Sequence, residues 1–202
     1  MTPPSWVAPL AEAIDRANRS DPRIQPGSAG DTQAVSDARR VERWVRRVTA
    51  RRGADVDAVQ ELAARAHHLY RWELPRADAG PGRANYLRWR RAAAEHQGRR
   101  LGELCAACGV PAEPAQQMCA LVAKSPDAPE AWAQDHEDAL CLAFLEADLA
   151  DLVTRLDEAA ALRALERTWS KMSQNGRDLA DEMLADQPAL RDLVSRATTP
   201  DR

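Results

Sequence analysis

The sequence predicts an all-α fold, a single compact multi-helix domain over residues 1–202. Three observations carry that expectation. Ala and Leu dominate while Phe occurs once and Tyr twice, a composition that favours helix over strand. Apolar residues recur at helical spacing along the chain, with no alternating pattern and no internal repeat. A length of 202 residues with 45% apolar content suits one domain with a core of its own.

Each element has its own signals. Ser5 to Arg19 reads as a first helix with Trp6, Leu10, Ala13, Ile14 and Ala17 on one face. Asp21-Pro22 stops it, and a loop follows to about Asp31. Ser36 or Asp37 then caps a helix to Arg52 that buries Val41, Trp44, Val45 and Val48 and carries Arg39, Arg40, Arg43, Arg46 and Arg47 on its other face. Gly53 ends it, and Asp55 or Asp57 opens a third helix running to about Tyr70. Pro75, Gly80, Pro81 and Gly82 make Trp72 to Gly82 irregular. A helix from Arg83 to His96 comes next, and Gly98 separates it from a short helix ending at Gly109. Pro111 starts another that reaches Lys124. Trp132 to Leu156 is the most apolar stretch and the expected central helix. Segments 158–172, 176–185 and 189–196 complete the set, with a frayed tail after Thr198.

The net charge of −3 argues against general nucleic-acid or membrane-surface binding. It hides an asymmetry. Arg65 to Arg100 holds nine arginines against Glu73, Asp78 and Glu95, while Asp127 to Glu158 holds ten carboxylates against Arg155. Segments of opposite sign can pair and hold a charged ligand between them. No apolar run reaches the roughly 18 residues of a membrane span, and the N-terminus lacks the pattern of a signal peptide. The expected location is therefore cytoplasmic, with Cys105, Cys108, Cys119 and Cys141 reduced. Cys105 and Cys108 have CxxC spacing but no second pair, so packing between helices explains them better than zinc.

The stretch from Ala64 to Arg91 concentrates the chemistry. His67 and His68 are neighbours on an expected helix, about 100° apart, so only one can face a pocket squarely. His68, with Arg65 and Arg71 within a turn, is the candidate acid–base group or ligand. Arg76, Arg83, Arg88 and Arg90 surround a glycine-containing bend and a helix start, and arginine's fork suits phosphate or carboxylate. Trp72, Tyr86 and Trp89 have the spacing of packing anchors, with Tyr86 also placed in the ligand-binding set. Of 28 basic residues only Lys124 and Lys171 are lysines, so both are candidates where a compact ammonium is needed. Asp138 is followed directly by ALCLAFL, which draws it toward the core, where its charge needs a cation or metal.

The blocks AARAHHLYRWELPR (63–76), RANYLRWR (83–90), EDALCLAFLE (137–146), TWSKMS (168–173) and RVERW (40–44) together resemble domain-of-unknown-function family 4202, over roughly residues 9 to 197. The layout is similar to the HD-domain superfamily of metal-dependent phosphohydrolases, which implies an HD-domain-like helical fold and a divalent metal as candidate cofactor. The sequence departs from the HD pattern: no histidine precedes His67, and the doublet reads His67-His68. The resulting expectation is a cleft that binds a small anionic molecule, a phosphorylated metabolite or a nucleotide, as a degenerate HD-type hydrolase or transferase. His68, Asp138 and Lys171 are its catalytic candidates. Arg40, Arg71, Arg76, Arg83, Tyr86, Arg88, Arg90 and Lys124 are its ligand-binding candidates, and His68 with Asp138 its metal candidates. The competing class is a non-catalytic adaptor that docks an acidic protein or RNA through its basic face.

Overall fold

A computed structural model describes residues 2–198, in ten α-helices and two short 3-10 turns. Among the described residues there is no strand, only an isolated antiparallel bridge between Ile24 and Thr32. The chain forms two compact units, residues up to 43 with 56–133, and 44–55 with residues from 134 onward. The second helix passes from one into the other.

In the first unit, α1 (Val7–Asn18), the start of α2 (Gln33–Arg51), α3 (Ala58–Arg65), α4 (Arg83–Ala107) and α5 (Ala112–Ala123) supply the secondary structure. Leu10, Ile14, Leu62, Leu69, Leu101 and Met118 form its core, drawn from the apolar faces of α1, α3, α4 and α5 and from the turn after α3. Asp57 caps α3 in a capping box: its carboxylate accepts from the Val59 amide at 2.8 Å while its own amide donates to Gln60 at 3.2 Å.

Three boundaries in this unit differ from expectation. The α2 helix starts at Gln33 because Thr32 is its cap; the Thr32 hydroxyl accepts from the Val35 amide at 3.2 Å and donates to the Asn18 carbonyl at 2.7 Å. That leaves Asp37 inside the helix with its carboxylate available for other partners. The α3 helix stops at Arg65, and His67 to Tyr70 form tight turns that end with Tyr70 at φ 54°. Ala66 and Leu69 are fully buried in these turns. The α4 helix runs unbroken through Gly98. A methyl group there would sit 3.1 Å from the Ala123 side chain and 3.3 Å from the Cys119 carbonyl, so the glycine serves close approach of α5 and is not a break.

The second unit contains the rest of α2 with α6 (Glu130–Ala147, from residue 134), α7 (Leu149–Arg155), α8 (Glu158–Trp169), α9 (Gln174–Met183) and α10 (Pro188–Thr198). Ala139, Leu142 and Leu145 of α6 are buried, and the Trp44 indole donates to Glu146 at 2.6 Å. The long helix expected over 132–156 is divided at Asp148. Hydrogen bonds from the Asp148 amide to Phe144 (2.9 Å) and from the Leu152 amide to Asp148 (2.8 Å) bridge the division, which makes it a bend and not an end. Asp157 caps α8 through the Ala160 amide at 2.7 Å, and α10 packs on α8. The expected tail after Thr198 lies outside the described residues. No described helix is long and apolar enough to cross a membrane.

Candidate functional site

The first unit gathers charged groups around His68, and the local structure explains how each arrives. The Asp21 carboxylate, almost fully buried, accepts from the Arg23 side chain at 2.9 and 2.7 Å and from the Ala34 amide at 3.1 Å. Burial opposes the charge on Asp21, yet these donors hold its carboxyl below the ordinary range. The Arg23 carbonyl accepts from the Gln33 amide at 2.8 Å, and the Gln25 amide donates to Asp31 at 2.9 Å. Arg23 is thus pinned at the base of a closed loop.

One turn into α2, Asp37 accepts from Gln33 at 3.0 Å and from Arg40 at 2.9 Å. Burial raises its carboxyl above the ordinary value, against Arg40, Gln33 and Arg23, which pull it down. The other Asp37 oxygen lies 3.5 Å from His68 Nδ1, just beyond a made hydrogen bond. That nitrogen is buried and has no hydrogen-bond partner, while the side chain as a whole keeps 24% of its surface exposed. Burial first, then the charges of Arg71, Arg23, Lys124 and Arg40, push the imidazole down to about 3. The ring is therefore neutral at pH 7. With Nδ1 turned toward a carboxylate, the favoured tautomer carries its proton there and leaves Nε2 as the basic nitrogen.

Arg71 follows the turn. Burial pulls its guanidinium below the ordinary value; Arg23 and Arg90 act in the same direction, and Tyr86 and Asp37 oppose them. Its guanidinium stacks 5.0 Å over the Trp89 ring and makes no ion pair among the described residues. Around His68, then, Arg23, Arg40, Arg71 and Lys124 meet two carboxylates, Asp21 and Asp37. Tyr70 and Lys124, both at φ 54°, are the only non-glycine residues at positive φ among those described. One lies two residues beyond His68, and the other contributes charge to it. Unusual backbone of this kind concentrates where side chains must be aimed.

An aromatic stack adjoins the cluster. The Trp89 indole N–H donates to the Leu74 carbonyl at 3.0 Å. Arg76 lies 5.7 Å over Trp89 and 5.2 Å over Tyr86, and the two rings are 6.0 Å apart. Tyr86 differs from a packing anchor in being 40% exposed.

Of the residues selected from sequence, Arg40, His68, Arg71, Tyr86, Arg90 and Lys124 share this electrostatic neighbourhood, and Arg76 joins through its stack. Arg83 and Arg88 are exposed on the first turns of α4, where Arg88 is held by Asn85. Asp138 and Lys171 belong to the second unit. Asp138 is completely buried, and its oxygens accept from the Ser173 amide at 2.8 Å, the Ser173 hydroxyl and Gln134 at 2.9 Å. Burial raises its carboxyl above the ordinary value. The partner that its burial demanded is the N-terminus of α9. Lys171 pairs with Glu137 at 3.6 Å. The donors of an HD-type metal centre do not fit: Asp138 is occupied within its own unit, and no group of three or more metal-ligating side chains exists among the described residues. Cys105, Cys108, Cys119 and Cys141 are free thiols. Sequence reasoning missed Arg23 and Asp37; the Asp21-x-Arg23 spacing was the available signal for the first.

A family model described as a domain of unknown function, DUF4202, matches residues 9–194. No curated protein and no solved structure matches the chain.

Proposed function

The chain belongs to the DUF4202 family, and we propose that it binds a small phosphorylated anion at the cation cluster around His68. The observation that carries this reading is Arg71, half-buried with no ion pair among the described residues, beside a buried His68 nitrogen that makes no hydrogen bond. A guanidinium held out of water without a counter-charge is costly, and a bound anion offsets that cost. Arg71 and Arg40 present planar forks to phosphate oxygens, and Lys124 adds a rotatable ammonium. His68, neutral at pH 7, offers its unprotonated ring nitrogen as a hydrogen-bond acceptor to a hydroxyl of the ligand.

The test is thermal unfolding with inorganic phosphate and pyrophosphate at matched ionic strength. The wild type should gain melting temperature in proportion to the logarithm of ligand concentration, Arg71→Gln should lose most of the gain, and Arg88→Gln should keep it. An equal gain in Arg71→Gln sinks the assignment.

A second reading has one observation in its favour. Tyr86 and Leu87 are exposed on α4, 40% and 48%, among the exposed Arg83, Arg88 and Arg91. An adaptor using this face would need an acidic macromolecule, and its binding would weaken steeply with salt.

A further inference from the structure

The cation cluster recognises a phosphate group but does not by itself say what the phosphate is attached to. The aromatic stack next to it does. Trp89 is fixed at one end by its hydrogen bond to Leu74 and lies under Arg71, so it sets the orientation of a guanidinium in the cluster. Tyr86, 6.0 Å away with 32° between the ring planes, has no such structural tie. Its hydroxyl makes no hydrogen bond to a described residue, and it keeps 40% of its surface in solvent. A tyrosine that served only to pack α4 would bury that surface. Trp89 links the two: Arg71 lies 5.0 Å over its ring and Tyr86 is 6.0 Å from it, which puts Tyr86 next to the proposed phosphate position. Arg76, 5.2 Å over the ring, restrains Tyr86 and adds positive charge to the platform.

Resting on the anion-binding reading above, we propose that the ligand is a nucleotide: its phosphate is held by the cluster around His68 and its base stacks on the exposed ring of Tyr86. Every base has a π-face, so a stacking platform of this kind gains affinity without base-specific hydrogen bonds. A sugar phosphate without a planar ring cannot use it.

The experiment compares binding of AMP, ribose 5-phosphate and inorganic phosphate by calorimetry to the wild type and to Tyr86→Ala and Tyr86→Phe. The expected result is AMP bound roughly ten-fold more tightly than ribose 5-phosphate by the wild type. Tyr86→Phe should keep that margin. Tyr86→Ala should remove it while leaving inorganic phosphate and ribose 5-phosphate within about two-fold of wild type. Equal affinity for AMP and ribose 5-phosphate in the wild type, or a margin that survives in Tyr86→Ala, overturns the nucleotide assignment and leaves phosphate binding standing. If neither ribose 5-phosphate nor inorganic phosphate binds, the anion reading falls and takes the nucleotide with it.

Discussion

Replacing Gly176 with alanine sets two effects of opposite sign against each other. Gly176 lies in the first turn of α9, three residues after the Ser173 cap, where alanine is better than glycine by about 1 kcal/mol. The new methyl group, however, would sit 2.7 Å from Asp138 Cγ and 2.8 and 3.0 Å from its two oxygens. Either α9 moves off or the carboxylate is pushed away from its donors, the Ser173 amide at 2.8 Å and Gln134 at 2.9 Å among them. Loss of one hydrogen bond to a buried charged group costs about 1.5–3 kcal/mol, and overpacking adds about 1–3 kcal/mol. The clash therefore wins, with a net destabilisation of roughly 1.5–5 kcal/mol after the helix gain is subtracted. For a chain of this length that lowers the melting temperature by about 2–4 °C for each kcal/mol. Urea unfolding should show a lower midpoint with an unchanged slope. A double-mutant cycle isolates the cause: with Asp138→Ala already present, Gly176→Ala should become neutral or stabilising. A Gly176→Ala protein as stable as wild type, or a cycle with no coupling, would falsify the account of Asp138 as the anchor of α9.

The remaining predictions concern a buried ring and a helix contact. The His68 ring protons should show no titration by NMR between pH 5 and 8, because the folded protein holds the imidazole neutral down to about 3. Since its folded value lies below the unfolded 6.5, the unfolded state binds the proton first as pH falls. The stabilising contribution is whole above 6.5 and is lost on descending toward 3, so His68→Gln should flatten that limb of a stability–pH curve; an ordinary titration near 6.5 would contradict the burial argument. Gly98→Leu should destabilise the protein by about 2 kcal/mol or more, since even a methyl group there meets Ala123 at 3.1 Å and the Cys119 carbonyl at 3.3 Å. Stability unchanged in chemical denaturation would refute the close approach of α4 and α5.

Legibility from sequence followed the range of the interactions responsible. The first and fifth helices were predicted to within about two residues because periodicity and proline or Asp-Pro signals are local. Gly98 was misread as a break because its reason lies in Cys119 and Ala123, on another helix. The cap expected at Ser36 or Asp37 is instead Thr32, whose place is fixed by its bond to Asn18, fourteen residues earlier. The burial of Asp138 was foreseeable from the apolar run that follows it, but its partner was not. Ser173 stands thirty-five residues away and announces itself only by the small residue, Gly176, that lets the carboxylate approach. Arg23 escaped notice because a loop residue after a helix stop carries no periodic signal; only its buried clamp to Asp21 distinguishes it.

Lys124 ends α5 in a left-handed turn that glycine would adopt more readily. Keeping an ammonium there sacrifices local backbone ease for a positive charge at the negative end of a helix dipole. Exchange for glycine would relax the main chain and at the same moment weaken the electrostatic pull on any anion near His68, so backbone ease and the proposed affinity are opposed at that single position. Selection for an easier main chain would, at residue 124, select against the proposed anion capture.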